Sequence, residues 1–96
     1  MDSVDGLREE LTSCLAQIND AGLGSLDLQI IEKIDKFAAA AGGLGMNSGK
    51  KLIENLSAVL KSFKEGKSQE SSVQVRLTAL DFYLRNIQGG GAEEEL

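Results

Sequence analysis

Apolar residues spaced alternately three and four positions apart constrain this chain more than any other feature of its sequence. Four segments carry this spacing, and none shows the sustained alternation of apolar and polar residues that marks a strand. The sequence therefore predicts four amphipathic helices. Their predicted core positions are Val4, Leu7, Leu11, Cys14 and Ile18; Ile30, Ile34, Phe37 and Ala41; Leu52, Leu56, Val59 and Phe63; and Val73, Leu77, Leu80, Leu84 and Ile87.

Glycines and potential capping residues separate the four segments. The first is predicted to run from about Ser3 to Asn19, and the second either ends in Gly42–Gly45 or passes another element closely there. Short connections between helices of similar length predict an all-α, up-down-up-down four-helix bundle. The expected N-caps are Ser25 for the second helix, Asn47 or Ser48 for the third and Ser71 or Ser72 for the fourth, and the expected stops of the third and fourth helices are Gly66 and Gly89.

The length of 96 residues fits one domain with one core. With 42% hydrophobic and 26% charged residues, the chain has the composition of an ordinary globular protein. We expect residues 1–88 to form a single helical-bundle domain. The glycines and glutamates of residues 89–96 predict a flexible tail.

The composition excludes most catalytic and metal-binding chemistry. The chain has no histidine and a single cysteine, which removes Ser/His/Asp and Cys/His constellations, histidine-ligated metals and four-thiolate zinc sites. Cys14 lies at a predicted core position, which suits a reduced, buried thiol. We therefore expect no enzyme activity, no cofactor and no metal site.

The charge balance argues against nucleic acid as a partner. Fifteen acidic residues face ten basic ones, a net charge of -5, and the nearest approach to a basic patch is Lys50–Lys51. No apolar run approaches the roughly 20 residues that span a bilayer, and the N-terminus lacks the pattern of a signal peptide. We expect a cytoplasmic protein without nucleic-acid or membrane binding.

One face of the second predicted helix combines a carboxylate with small residues. Asp35, Ala38, Ala39 and Gly42 stand at positions i, i+3, i+4 and i+7 beside the core positions. Two interpretations stay open. The small residues either let a neighbouring helix approach closely, or they form a flat, exposed patch against which a partner protein lies.

The segment from Asp35 to Gly45 reads DKFAAAAGGLG and resembles the histidine-containing phosphotransfer (HPt) domains of bacterial phosphorelays. Those domains carry a pattern close to H-x-[apolar]-K-G-[SA]-[SA]-x-x-[apolar]-G on the second helix of a four-helix bundle. Phe37, Leu44, the pair Ala40–Ala41 and Gly45 match the pattern. The likeness extends over roughly residues 5–88, but these 11 positions are its specific part.

The chain departs from the HPt pattern at the positions that carry the chemistry. Asp35 stands where the family has its phospho-accepting histidine, Ala38 replaces the lysine and Ala39 replaces the following glycine. Without the lysine or a bound Mg²⁺, an acyl phosphate on Asp35 would lack charge stabilisation. The resemblance therefore implies a degenerate HPt domain that does not transfer phosphate.

The function implied by this resemblance is protein docking. Such a domain would bind a response-regulator receiver domain or a histidine kinase and modulate the phosphorelay without carrying phosphate itself. Its expected docking residues are Glu32, Asp35, Lys36, Ala38, Ala39, Gly42 and Gly43.

A second class of function also fits the sequence. The heptad-like spacing of the first and last segments is shared with coiled-coil seams, which pair between chains. The chain would then be a small acidic helical chaperone or assembly subunit, for example of a secretion system. Concentration-dependent melting separates an obligate dimer from a compact monomer, and the sequence favours the monomer.

Overall fold

The computed structural model describes residues 3–86, which form four α-helices and one short 3₁₀ turn. No strand occurs within that range, so the prediction of an all-α fold is confirmed. Ile87 and the predicted tail, residues 89–96, lie outside the described residues. The helices are α1 (Val4–Ala21), α2 (Leu28–Gly43), α3 (Asn47–Lys64) and α4 (Glu70–Asn86), and the 3₁₀ turn is Leu23–Ser25.

The helices are arranged as a ring of neighbours. Each packs against the next along the chain, and α1 closes the ring against α4. The most extensive contacts are those of α3 with α2 and α4, whereas α1 is packed more loosely. The predicted up-down-up-down four-helix bundle is therefore confirmed, with α2 and α4 diagonally opposite each other.

A single apolar core runs through the bundle, and the predicted positions of α1 and α4 within residues 3–86 are all buried. In α3 the buried face is turned from its predicted centre. Leu52, Val59 and Phe63 are only partly buried, while Ile53 and Leu60 are fully buried. Because α3 packs against helices on both sides, its buried face includes residues that flank the predicted line of apolar positions.

The N-terminal caps differ from the predicted ones. In α2 the cap is Asp27, whose Oδ1 accepts a hydrogen bond from the Ile30 amide at 3.0 Å, because Ser25 belongs to the preceding 3₁₀ turn. In α3 the capping position is Met46, so Asn47 and Ser48 lie inside the first turn. Likewise α4 begins at Glu70, which places Ser71 and Ser72 within the helix.

Two predicted helix stops are confirmed. The backbone at Gly45 and Gly66 has φ near +80°, a conformation that residues other than glycine rarely adopt. After each glycine the chain bonds back to its helix, with the Met46 amide reaching the Ala41 carbonyl at 2.9 Å. The second helix therefore ends at Gly43 and turns sharply into α3.

Helices α3 and α4 pack closely together at Gly49. A Cβ atom at this position would lie 2.9 Å from Cε2 and 2.9 Å from Oη of Tyr83. Real Cβ atoms do not tolerate such distances, so the absent side chain lets the Tyr83 ring pack directly on the α3 backbone. Tyr83 is accordingly nearly buried, with 9% of its surface exposed.

Candidate docking surfaces

The outward side of α2 presents a continuous row of exposed residues, which we call the open face of α2. Its members recur at helical spacing, so they lie on one side of the helix, away from the core. Only small or flexible side chains occupy its central part. The open face comprises Leu28, Glu32, Lys36, Ala39 and Gly43.

The predicted docking residues divide between this face and the interior. Glu32, Lys36, Ala39 and Gly43 lie on the open face, with Asp35 exposed beside it. Ala38, in contrast, is 4% exposed and belongs to the hydrophobic core. It was expected to contact a partner, but its burial leaves no surface for that role.

Gly42 and Gly43 likewise differ in whether they contact a neighbouring helix. A Cβ atom at Gly42 would lie 3.2 Å from Cδ of Lys50, so the alkyl chain of that lysine on α3 crosses the glycine. At Gly43 an added Cβ would meet nothing within 4 Å among the described residues. The two interpretations of the small-residue face therefore each hold for part of it, since Ala38 and Gly42 face packing neighbours while Ala39 and Gly43 face outward.

Asp35 is engaged with α3. Its Oδ1 accepts a 2.5 Å hydrogen bond from Oγ of Ser57, which is buried, and its Oδ2 lies 3.3 Å from Nζ of Lys61. The carboxylate is about half exposed and thus bridges the rim of the α2–α3 contact. Asp35 therefore links α2 to α3, and its negative charge is paired with Lys61.

Charge is unevenly distributed between the parts of the bundle. Residues 28–64, covering α2 and α3, hold six lysines against three acidic residues, a net charge of +3. Residues 3–27 hold five acidic residues and one arginine, a net charge of -4. Helices α2 and α3 taken together are therefore basic although the chain as a whole is acidic. The six lysines, all exposed, are Lys33, Lys36, Lys50, Lys51, Lys61 and Lys64.

A second exposed surface was not anticipated from the sequence. Phe82 is 68% exposed and Val75 is 63% exposed, and with Ala79 they form what we call the apolar face of α4. Val75, Ala79 and Phe82 are spaced four and three residues apart, as the core positions are. This spacing could have identified the face from the sequence. Leu28 on α2, 61% exposed, is the other large apolar side chain at the surface.

An open groove borders the apolar face of α4. It lies between α1 and α4, where the bundle is loosely packed, and has a volume of about 340 Å³. Leu15 and Leu77 contribute its apolar part, and Asp81 and Arg85 line it on the α4 side. Gln74 and Thr78 line the groove and also border the apolar face, so the groove and the face form one surface.

Within residues 3–86 no three acidic or cysteine side chains come together in a way that could hold a metal ion. Burial raises the pKa of the Cys14 thiol, partly offset by Lys33, which confirms the predicted buried thiol. None of the helices from Val4 to Asn86 is long and apolar enough to cross a membrane.

Comparison of the chain with protein-family models, with curated proteins and with solved structures found no match in any of the three. The candidate sites are therefore defined by the geometry of this chain alone.

Proposed function

We propose that this chain is a non-catalytic, cytoplasmic signalling domain similar to HPt domains, which docks a receiver domain or a histidine kinase and modulates a phosphorelay without carrying phosphate. The observation that carries the proposal is the open face of α2. Ala39 and Gly43 are exposed in its C-terminal half, on the helix that corresponds by resemblance to the docking helix of HPt domains.

The small side chains of this face suit a flat contact. At Ala39 and Gly43 a partner's side chains can approach the α2 backbone closely, because no large side chain stands in the way. Leu28 adds a large exposed apolar group at the start of the same face, where partner contact would remove it from water. These features support a transient interface of modest size, below about 1,200 Å² in total.

The charge around the open face indicates what kind of surface binds there. Six lysines give α2 and α3 a net charge of +3, so an acidic partner surface would gain favourable electrostatic contacts. Lys36 lies on the face itself and Lys50 borders it across Gly42. We expect the affinity to fall several-fold when ionic strength rises from about 0.05 to 0.3 M, because salt screens exposed charges.

The contacts of Asp35 support a role without phosphate transfer. Its two carboxylate oxygens face Ser57 and Lys61, and the chain contains no histidine that could accept a phosphoryl group instead. Asp35 then serves the fold by joining α2 to α3, and docking depends on the neighbouring exposed residues.

The test is direct binding of the purified chain to the receiver domains and histidine kinases of its source organism, measured by calorimetry. Ala39→Arg should abolish binding by placing a long side chain in the contact, with the circular dichroism melt unchanged. Ala16→Arg is the matched control, because it makes the same substitution at an exposed position of α1 beside α4. Absence of binding to every receiver and kinase, or equal loss with both variants, would reject the proposal.

The apolar face of α4 favours a second candidate function. A small helical chaperone or assembly subunit contacts other proteins through apolar helix faces, and Val75 and Phe82 provide such a face here. Binding of an amphipathic helical peptide that is lost with Phe82→Glu and kept with Ala39→Arg would favour this candidate over the phosphorelay.

A further inference from the structure

The end of the bundle at which α4 stops is formed in part by the longest stretch of this chain without an acidic residue. Residues 36–53 contain three lysines and no aspartate or glutamate. They make up the C-terminal half of α2, the turn that follows it and the first turns of α3. Two of the three lysines, Lys50 and Lys51, are adjacent and exposed in α3, and we call them the lysine pair.

The lysine pair has no acidic partner within residues 3–86. Neither Lys50 nor Lys51 forms an ion pair with any residue of that range, although Glu54 follows one turn later in α3. The side chain of Lys50 lies across Gly42, so its ammonium group is held beside the C-terminal end of α2. Both positive charges are therefore available to an acidic segment that comes near them.

We propose that Glu93, Glu94 and Glu95, which follow the last helix and which we call the acidic tail, bind the lysine pair of the same chain. While this contact is formed, the tail covers the lysines and the adjacent end of the open face of α2 at Gly43. An acidic partner then has to displace the tail before it can dock. This consequence for docking rests on the proposed function, whereas the contact itself does not.

The acidic tail leaves the bundle close to the lysine pair. The residue before Lys50 packs against the ring of Tyr83, and Asn86 follows Tyr83 by three residues, or about 4.5 Å along a helix. Seven residues lead from Asn86 to Glu93, and they include Gly89–Gly91. A flexible chain of that length spans about 15 Å on average and about 23 Å when fully extended. The tail can therefore reach the lysine pair without unwinding α4.

Charge favours the lysine pair over other groups near the same end of the bundle. Helix α1 begins at this end and carries Asp5 and Glu9 in its first turns, which repel the acidic tail. Arg85, in the last turn of α4, is already paired with Asp81 at 2.9 Å. Lys64 lies about 20 Å further along α3 at the helical rise. The lysine pair is therefore the nearest positive charge that is not already matched.

The tether makes a weak attraction effective. Exposed ion pairs are individually weak and are screened by salt. A short flexible linker, however, holds a segment near its site at an effective concentration on the order of millimolar. The contact therefore forms and opens readily, and a partner with a larger acidic surface can replace it.

A spin label on the tail tests the contact without any partner. Ala92→Cys places a nitroxide beside the acidic tail, and the buried Cys14 stays unlabelled. We expect the label to broaden the NMR signals of the Lys50 and Lys51 amides. The broadening should fall at least about twofold when the salt concentration rises from about 0.02 to 0.5 M, because salt screens the attraction.

Matched variants identify the groups that form the contact. The tail variant is Glu93→Gln/Glu94→Gln/Glu95→Gln. This variant and Lys50→Gln/Lys51→Gln should each reduce the broadening to its value at high salt. Lys64→Gln/Lys67→Gln removes the same charge beyond the other end of α3 and should leave the broadening unchanged. Broadening that responds neither to salt nor to these substitutions would reflect the tether alone and would overturn the proposal.

A mixing experiment separates a contact within one chain from a contact between chains. Spin-labelled chain without isotope is mixed with isotope-labelled chain that carries no spin label. We expect no broadening at the lysine pair in this mixture. Broadening there would assign the tail to a second copy and would contradict an intramolecular contact.

The effect on docking is measured with the partner found by the calorimetric test of the proposed function. The tail variant should bind that partner several-fold more tightly than the wild type. Glu9→Gln/Glu10→Gln, which removes acidic charge from α1, is the control and should change the affinity less. An equal gain in both variants would reflect net charge and would reject the masking of the docking surface. If no receiver or kinase binds, the proposed function fails, while the spin-label result still decides whether the tail contact exists.

Discussion

Ser57 of α3 donates a hydrogen bond to the carboxylate of Asp35 on α2, and Lys61 pairs with the other oxygen of the same group. One carboxylate thus satisfies a buried hydroxyl and an exposed ammonium from a single neighbouring helix. Asp35 stands where the HPt domains that this sequence resembles have their phospho-accepting histidine. In this chain Asp35 has a structural role.

Replacing Asp35 should destabilise the fold. Asp35→Ala leaves the buried Ser57 hydroxyl without its acceptor, and we expect the free energy of unfolding in urea to fall by about 1–2 kcal/mol. A double-mutant cycle with Lys61→Ala should give a coupling of about 0.2–1 kcal/mol, since both side chains are half exposed. Glu32→Ala, an exposed acidic position on the same helix, is the control and should be neutral. A neutral Asp35→Ala would mean that the bridge contributes nothing.

Adding a methyl group at Gly49 should also be unfavourable. Its Cβ would lie 2.9 Å from Tyr83, and overpacking of this kind costs about 1–3 kcal/mol, partly offset by the higher helix propensity of alanine. Gly43→Ala is the control, because nothing described lies within 4 Å of that Cβ. In a Tyr83→Leu background the cost of Gly49→Ala should shrink, and an unchanged cost would show that Tyr83 is not its source. Chemical denaturation of the four variants measures all of these effects.

The third prediction concerns the N-cap of α2. Asp27→Ala removes the acceptor of the Ile30 amide and should cost about 1 kcal/mol in urea denaturation. Asp27→Asn keeps a capping oxygen and should cost a few tenths at most. Equal losses in the two variants would indicate that the charge of Asp27, and not its cap, stabilises the helix.

The two adjacent alanines of α2 should respond differently to the same substitution. Ala38 is in the core, so Ala38→Arg places a charge where there is no room or solvent, and we expect the melting transition to be lost. Ala39 is exposed, and Ala39→Arg should melt within a few degrees of the wild type. Thermal melts followed by circular dichroism compare them, and similar melts would contradict the division of this face.

The buried thiol predicts a dependence on pH. Burial raises the pKa of Cys14 above its ordinary value of 9.0, so the folded state favours the protonated thiol. That contribution to stability is fully present below pH 9 and is lost as the pH rises through the raised value. Cys14→Ala should lose less stability between pH 8 and 11 than the wild type does, although it is less stable at pH 8. Parallel pH profiles would exclude the thiol as the source.

Helical spacing was sufficient to predict the bundle, because burial of a core requires the same periodicity that the sequence displays. It placed Cys14 and Leu77 in the interior correctly. The cap of α2 was wrong because Ser25 and Asp27 are both good caps, and the choice depended on the short 3₁₀ turn between them. Capping chemistry alone does not contain that information.

The candidate site was less predictable than the fold. Ala38 and Ala39 are identical in type and adjacent in sequence, so composition could not tell which one lies in the core and which one faces solvent. The ties of Asp35 to Ser57 and Lys61 join residues more than 20 positions apart, which only the packing of α2 on α3 brings together. Phe82 was recoverable in principle, since its spacing from Val75 repeats the pattern of the core.

The separation of charge between residues 3–27 and residues 28–64 has a consequence for how the molecule meets other molecules. Opposite net charges on two parts of one small body give it an electric dipole, which interacts with the field of a charged partner before contact. An acidic surface would rotate the bundle so that α2 and α3 lead, while the overall negative charge slows the approach. Added salt would weaken the orientation of the bundle by its dipole. It would also reduce the repulsion between the net charges, and so it would speed the encounter.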